Sequence, residues 1–176
     1  MGNERNLIQQ IQDYSKDIVV MAPSKGKEAF RIYANGGLIC ELTYNPDNSI
    51  SVSKKLNKDY KEHIDDSERF FSVSKAWGST VNSFSEELRE YLDLAIQATE
   101  HKFHNKERQY QTRLARLSRD SCVYNPDKMQ WLIVDMEYTT SKENYPGNYK
   151  PDYIVFDGES FGIVELKCNG ESLIIF

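Results

Sequence analysis

Two short apolar segments separated by a tight-turn sequence constrain the folding of this chain most. Residues 150–156 and 161–167 are rich in β-branched and aromatic residues, and residues 157–160 between them contain an Asp-Gly turn signal. If the first and last turn residues face each other, the pairing register of the whole hairpin follows. Asp152 is then predicted to lie directly opposite Glu165.

The same register gathers charged side chains on one face of the predicted hairpin. Lys150 would lie opposite Lys167, and alternation along the strand puts Glu165 and Lys167 on one face. The two carboxylates of Asp152 and Glu165 repel unless positive charge lies between them. Lys167 supplies part of that charge, and a divalent cation would complete the balance. The alternative is an amphipathic hairpin with a solvated face, although like charges directly opposite destabilise a ladder.

A long amphipathic helix is predicted upstream of the hairpin, with a break near His101 or Asn105. Ser85 is a suitable N-cap, and acids follow it in the first turn. Apolar residues then recur at three- and four-residue steps. This stripe consists of Leu88, Tyr91, Leu92, Ala95, Ile96, Phe103, Tyr110, Leu114 and Leu117. Glu107 falls inside it, where an acid needs a partner or a metal. The alternative is that Glu107 lies at the stripe edge beside a neighbouring base.

A further strand is predicted over residues 128–139, with strict alternation of its side chains. One face would carry Leu132, Val134, Met136 and Tyr138, and the other Trp131, Ile133, Asp135 and Glu137. A polar loop over residues 139–149 connects this strand to the hairpin. The predicted order is therefore helix, strand, strand, strand.

The hairpin residues resemble the PD-(D/E)XK nuclease superfamily, whose signature is Pro-Asp on one strand and Asp/Glu-x-Lys on the next. Pro151-Asp152 and Glu165-Leu166-Lys167 match it. The resemblance implies an α+β fold with a restriction-endonuclease-like core, in which a long helix packs on a mixed, mainly antiparallel sheet. Helix, strand, strand, strand is the front half of that core. We therefore expect a missing C-terminal segment, or a second copy in a homodimer, to complete it; the alternative is that an N-terminal helix and β-meander cover the exposed sheet.

The function implied by the resemblance is that of a metal-dependent nuclease hydrolysing phosphodiester bonds. Asp152 and Glu165 would bind Mg²⁺ or Mn²⁺, with the Leu166 carbonyl and Glu107 as further ligands. Lys167 would orient or deprotonate the attacking water and stabilise the transition state. Three other acids are reserves for the same site: Glu100, Asp135 and Glu137.

Basic residues on the helix indicate contact with nucleic acid, with DNA expected over RNA. We assign Lys106, Arg108, Arg113 and Arg116 to phosphate contacts. The formal net charge is -5, so this basic stripe is local. A solvated helix face is the alternative for the stripe. A non-catalytic nucleic-acid-binding or protein-interaction module on a nuclease-like fold is the alternative for the whole chain.

Two domains are predicted: residues 1–80 as an appendage and residues 81–176 as the nuclease-like core. The appendage would contain a helix over 6–14 and a β-meander over 29–34, 38–44 and 49–53, with its first turn at Asn35-Gly36-Gly37. No apolar run is long enough to cross a bilayer, so we expect no membrane contact. The three cysteines show neither zinc nor disulfide spacing, which favours a cytoplasmic setting.

Overall fold

The computed structural model describes residues 2–21, 29–47, 49–56, 84–103, 106–124, 131–136, 151–169 and 172–175. These residues form a mixed α+β fold with three helices and nine strands. None of the helices in this described part of the chain is long and apolar enough to cross a membrane. The chain divides into two compact units, residues 1–112 and 113–176, which are described separately.

The first unit is built on a four-stranded antiparallel sheet. Its strands β1 (Ile18–Met21), β2 (Ala29–Ala34), β3 (Gly37–Tyr44) and β4 (Ile50–Lys54) pair in chain order. The last three strands confirm the predicted meander. Strand β1 was not predicted, because four apolar residues between a helix and a polar segment are too few to show a period. Helix α1 (Gly2–Tyr14) precedes the sheet and begins earlier than predicted.

The turn between β2 and β3 is the tight hairpin turn predicted from its Asn-Gly sequence. Ala34 pairs with Gly37, which leaves Asn35 and Gly36 as a two-residue loop. Their φ angles are 48° and 79°, and this left-handed conformation matches the strand twist in such turns. A Cβ atom on Gly36 would lie 2.5 Å from the carbonyl oxygen of Arg108, so the tip of this hairpin lies against a helix.

Helix α2 (Glu86–Lys102) packs on the sheet of the first unit. Its N-cap is Ser85, whose hydroxyl accepts from the Leu88 amide at 3.3 Å, as predicted. The buried residues of α2 share one core with α1 and the meander; they include Leu88, Tyr91, Leu92, Ala95 and Ala98. The buried thiol of Cys40 belongs to the same core. Because α2 completes this core, the compact units divide after Thr112, whereas the predicted domain boundary near residue 80 lies outside the described residues.

The predicted break in the long helix is confirmed. Helix α2 ends at Lys102, and helix α3 (Lys106–Tyr124) begins after it. The predicted apolar stripe is wrong beyond the break, because Tyr110 and Leu117 are 44% and 62% exposed. A helical period holds only along one continuous helix, and the break resets its phase. Over residues 107–120 of α3, for which burial is described, the buried residues are instead Gln111, Thr112 and Ala115.

The second unit contains the part of α3 from Arg113 onward and two antiparallel sheets. Strands β5 (Leu132–Met136), β6 (Tyr153–Phe156) and β7 (Phe161–Val164) pair in the order β5-β6-β7. Strands β8 (Leu166–Asn169) and β9 (Ser172–Ile175) form a separate pair. Ser118 connects α3 to β5, since its hydroxyl donates to the Trp131 carbonyl at 3.2 Å and accepts from the Ile133 amide at 2.9 Å.

A bulge in β5 overturns the predicted alternation of that strand. Ile133 pairs with Val155, but the next pair joins Asp135 to Ile154, so Val134 is an extra residue. An inserted residue reverses the face of every side chain beyond it. Ile133 and Met136 therefore share a face, whereas strict alternation had placed them on opposite faces.

Candidate functional site

The β6–β7 hairpin has the register predicted from its turn. Tyr153 pairs with Val164 and Phe156 with Phe161, and the Asp157 amide donates to the Ser160 carbonyl at 3.3 Å. The Asp157 carboxylate accepts from the Ser160 and Glu159 amides at 2.7 and 2.9 Å. These backbone hydrogen bonds lower the pKa of Asp157. The turn thus fixes the register by local hydrogen bonds.

Asp152 lies immediately beyond the last pair of this ladder. In the same register the next two positions would pair Asp152 with Glu165 and Pro151 with Leu166. The Leu166 amide instead donates to Oδ2 of Asp152 at 2.6 Å. The buried Pro151 has no N–H to continue the ladder, so the backbone pairing ends there. Asp152 and Glu165 are therefore adjacent at the end of the hairpin, and both are half-buried.

The predicted continuous strand from residue 161 to 167 is wrong, because it is interrupted at Glu165. Strand β7 ends at Val164 and β8 begins at Leu166. The backbone of Lys167 pairs with Ile174 of β9, in a different sheet from β6. The predicted partner of Lys167, Lys150, lies outside the described residues.

Asp135 lies on the neighbouring strand, as the reserve assignment required. It pairs with Ile154, so Asp135 shares a sheet face with Ile154. Asp135 is 7% exposed, and its Oδ1 accepts from the Met136 amide at 2.7 Å. The other reserve on this strand, Glu137, lies outside the described residues, and Glu100 is exposed on α2. Within the described ranges, no three His, Cys, Asp or Glu side chains form a group that could hold a metal.

Tyr153 is a polar residue of this hairpin that the sequence interpretation did not single out. Its side chain is 1% exposed, and its hydroxyl has no hydrogen-bond partner among the described residues. Burial, with a smaller contribution from the Asp152 charge, raises the pKa of Tyr153 above its usual range. Tyr153 belongs to the apolar segment 150–156, and in a strand it would point away from the face of Asp152. Its sequence position therefore gave no sign of a polar role.

Glu107 and Arg108 belong to the first unit, whereas Asp152 and Glu165 belong to the second. Glu107 is half-buried near the start of α3. Arg108 donates to the Gly36 carbonyl at 3.4 Å, and its guanidinium lies 4.6 Å from the centre of the Phe103 ring. Arg108 therefore serves contacts within its own unit.

The basic residues of α3 in the second unit differ in their surroundings. Arg113 is exposed, whereas the Arg116 side chain is 19% exposed and lies 3.6 Å from the Asp120 carboxylate. Arg119 also contacts Asp120, at 2.9 Å. Asp120, an acid on the same helix, was not singled out in the sequence interpretation of this stripe. The fourth assigned residue, Lys106, is the first residue of α3.

Comparison with known proteins does not place this chain in a family. No family model matches its sequence, and no curated protein and no solved structure matches it significantly.

Proposed function

We propose that the chain is a metal-dependent nuclease of the PD-(D/E)XK type, with its cation site at Asp152 and Glu165. The observation that carries the proposal is the hairpin register, which brings these two acids together at the end of β6 and β7. The arrangement of α3 followed by the meander β5-β6-β7 agrees with the helix, strand, strand, strand order of a restriction-endonuclease-like core.

The chemistry of the donor set fits Mg²⁺ or Mn²⁺. Magnesium is a hard cation that is commonly held by one or two carboxylates, with water and substrate oxygens completing its shell. Asp152 and Glu165 would provide those carboxylates, and the Leu166 carbonyl, in the same unit, is an additional ligand that the resemblance implies. When bound, the cation would lower the pKa of a water molecule and offset charge on the scissile phosphate.

The remaining roles fall to residues of the chain itself. Asp152 and Glu165 would hold and orient the cation, because both half-buried acids lie at the end of the same hairpin. Lys167 would orient the attacking water and offset the negative charge of the transition state. Arg113, which is exposed on α3, would contact a substrate phosphate, with DNA as the proposed substrate.

A non-catalytic binding or interaction module is the second candidate function. It is favoured by the hydrogen bond from the Leu166 amide, which gives Asp152 a role that needs no metal. The lack of a three-ligand group within the described ranges points the same way. In this case the protein would bind a nucleic acid or a protein partner, with or without a cation, and would not cleave nucleic acid.

Cleavage of labelled single- and double-stranded DNA and RNA tests the two candidates, with Mg²⁺, with Mn²⁺ and with chelator. The nuclease should cut only with a divalent cation, and Glu165→Gln and Lys167→Ala should each lose most of the activity. Glu159→Gln is the matched control, because Glu159 is an exposed acid in the same hairpin turn. Calorimetry should show weakened Mn²⁺ binding in Glu165→Gln and nearly unchanged binding in Lys167→Ala. Metal binding by the wild type without cleavage of any substrate would favour the binding module. A wild type that neither binds metal nor cleaves any substrate would reject the site.

A further inference from the structure

We infer that Asp152 is also a positioning residue for Glu165, acting through the backbone amide of Leu166. The role of Glu165 in cation binding rests on the proposed function, whereas the positioning itself does not. The carrying observation is the 2.6 Å hydrogen bond from the Leu166 amide to Oδ2 of Asp152. Glu165 lies between this contact and the last ladder pair, which joins Val164 to Tyr153.

The position of this contact in the ladder shows which backbone acceptor the Asp152 side chain replaces. Hydrogen-bonded and non-hydrogen-bonded pairs alternate in an antiparallel ladder. Counting from the Asp157–Ser160 hydrogen bond, Pro151 and Leu166 fall on a hydrogen-bonding position. There Pro151 has no N–H to donate to the Leu166 carbonyl, and the Leu166 amide donates to Asp152 instead of the Pro151 carbonyl. The Leu166 side chain is fully buried, so an unpaired amide there would carry a desolvation cost. The Asp152 carboxylate supplies the acceptor from the neighbouring residue.

The consequence is that the Pro-Asp pair ends one sheet and fixes the start of the next. Pro151 stops the pairing of β6 with β7, and Asp152 holds the amide with which β8 begins. Glu165, in neither strand, is therefore held on both sides through the chain that contains Asp152. Loss of activity in an Asp152→Ala variant would then have two causes: a missing ligand and a displaced Glu165.

Amide hydrogen exchange measured by NMR without metal separates these causes. The proteins compared are the wild type, Asp152→Asn, which keeps an oxygen acceptor, and Asp152→Ala, which keeps none. Leu166 should exchange roughly tenfold faster or more in Asp152→Ala, because a hydrogen bond to a charged group is lost. Asp152→Asn should give an intermediate rate. Val164, whose amide lies in the ladder, is the internal control and should not change.

Mn²⁺ affinity of the same proteins provides the second readout. Both variants should bind Mn²⁺ at least tenfold more weakly, because each removes a negatively charged ligand. The two readouts should differ in Asp152→Asn. The Leu166 amide should keep partial protection from hydrogen exchange, whereas the affinity for Mn²⁺ should fall. A structural role alone would not separate the two readouts.

Equal exchange of Leu166 in the wild type and in Asp152→Ala would overturn the positioning role. Equally fast exchange in Asp152→Asn and Asp152→Ala would overturn it too, because the retained oxygen should still accept. If Asp152→Ala does not fold, the Leu166 amide proton decides: it should resonate far downfield in the wild type and move upfield in Asp152→Asn, and no movement contradicts the inference. A wild type that binds no Mn²⁺ but shows the expected exchange pattern would reject the nuclease proposal and leave the positioning role standing.

Discussion

The backbone amide of Gly36 donates to the hydroxyl of Thr112 at 2.6 Å, across a sequence separation of 76 residues. Beside it, the Asn35 side chain donates to the Ile96 carbonyl at 3.2 Å and to the Thr99 hydroxyl at 3.3 Å. The tip of the β2–β3 hairpin is therefore bonded to both α2 and α3 within the first unit. The turn that reverses the sheet also fixes the helices at their break.

Gly36→Ala should destabilise the protein by about 2 kcal/mol or more, because a side chain at this position is both strained and obstructed. The φ of Gly36 is 79°, and a Cβ atom would lie 2.5 Å from the Arg108 carbonyl oxygen. Chemical denaturation followed by circular dichroism measures the change.

Gly158→Ala is the matched control for that substitution. Gly158 also has a positive φ, 104°, but a Cβ atom there meets nothing within 4 Å. The control should therefore cost less than Gly36→Ala, since it carries the backbone strain without the obstruction. Equal losses would show that Arg108 moves aside at little cost.

Ser118→Ala should destabilise the second unit by about 1–3 kcal/mol, since the Ile133 amide and the Trp131 carbonyl both lose their partner. Leu117→Ala is the control on the same helix. It deletes more apolar surface, yet Leu117 is 62% exposed, so it should cost less than about 0.5 kcal/mol. Thermal unfolding of the two variants ranks their losses of stability. A greater loss from Leu117→Ala would contradict the stabilising role of the Ser118 hydrogen bonds between α3 and β5.

The hydroxyl of Tyr14 should lose its proton only at high pH, and this ionisation should destabilise the fold. Burial, helped by the hydrogen bond from its hydroxyl to Asp93 at 2.8 Å, raises the pKa of Tyr14 from 10.0 to about 12. The folded protein holds this proton more tightly than the unfolded chain, so the stabilisation is present below pH 10 and is lost as the pH rises towards 12.

NMR titration of the Tyr14 ring checks the pKa of Tyr14, in the wild type and in Asp93→Ala. Removal of Asp93 should lower the pKa but leave it above the ordinary value, because burial, the largest single cause, remains. Tyr14→Phe should lose the corresponding pH dependence of stability. A wild-type ring that titrates normally would contradict the role of burial.

If α3 contacts nucleic acid, Arg113→Ala should weaken binding more than Arg116→Ala. Arg113 is exposed, whereas Arg116 is largely buried beside Asp120 at 3.6 Å. Binding measured over a range of salt concentrations should lose roughly one counterion of salt dependence in Arg113→Ala. Equal, salt-independent losses would indicate damage to the helix and not lost phosphate contacts.

Features encoded by a few neighbouring residues could be predicted from the sequence. The Asn35-Gly36 turn, the Ser85 N-cap and the register set by Asp157 and Ser160 all depend on local backbone preferences. These signals were enough to bring Asp152 and Glu165 together at the end of the hairpin. The coarse α+β fold class follows from the same local patterns.

The features that sequence did not predict depend on contacts between distant residues. The bulge at Val134 and the burial of Gln111 and Thr112 are set by the partners of those segments, not by their own periods. The end of the ladder at Pro151 had a signal, since proline cannot donate, but the capture of the Leu166 amide by Asp152 had none. For this reason the placement of Lys167 in a second sheet was missed.

The buried thiol of Cys40 is a chemical probe for opening of the core in the first unit. The thiol is fully enclosed, and burial raises the pKa of Cys40 well above its usual range, with the neighbouring Glu41 adding to the effect. Alkylating reagents attack the thiolate, so they react with this sulfur only when the core around it opens. The rate at which Cys40 is alkylated would thus measure the frequency of local opening in this core, without any added label.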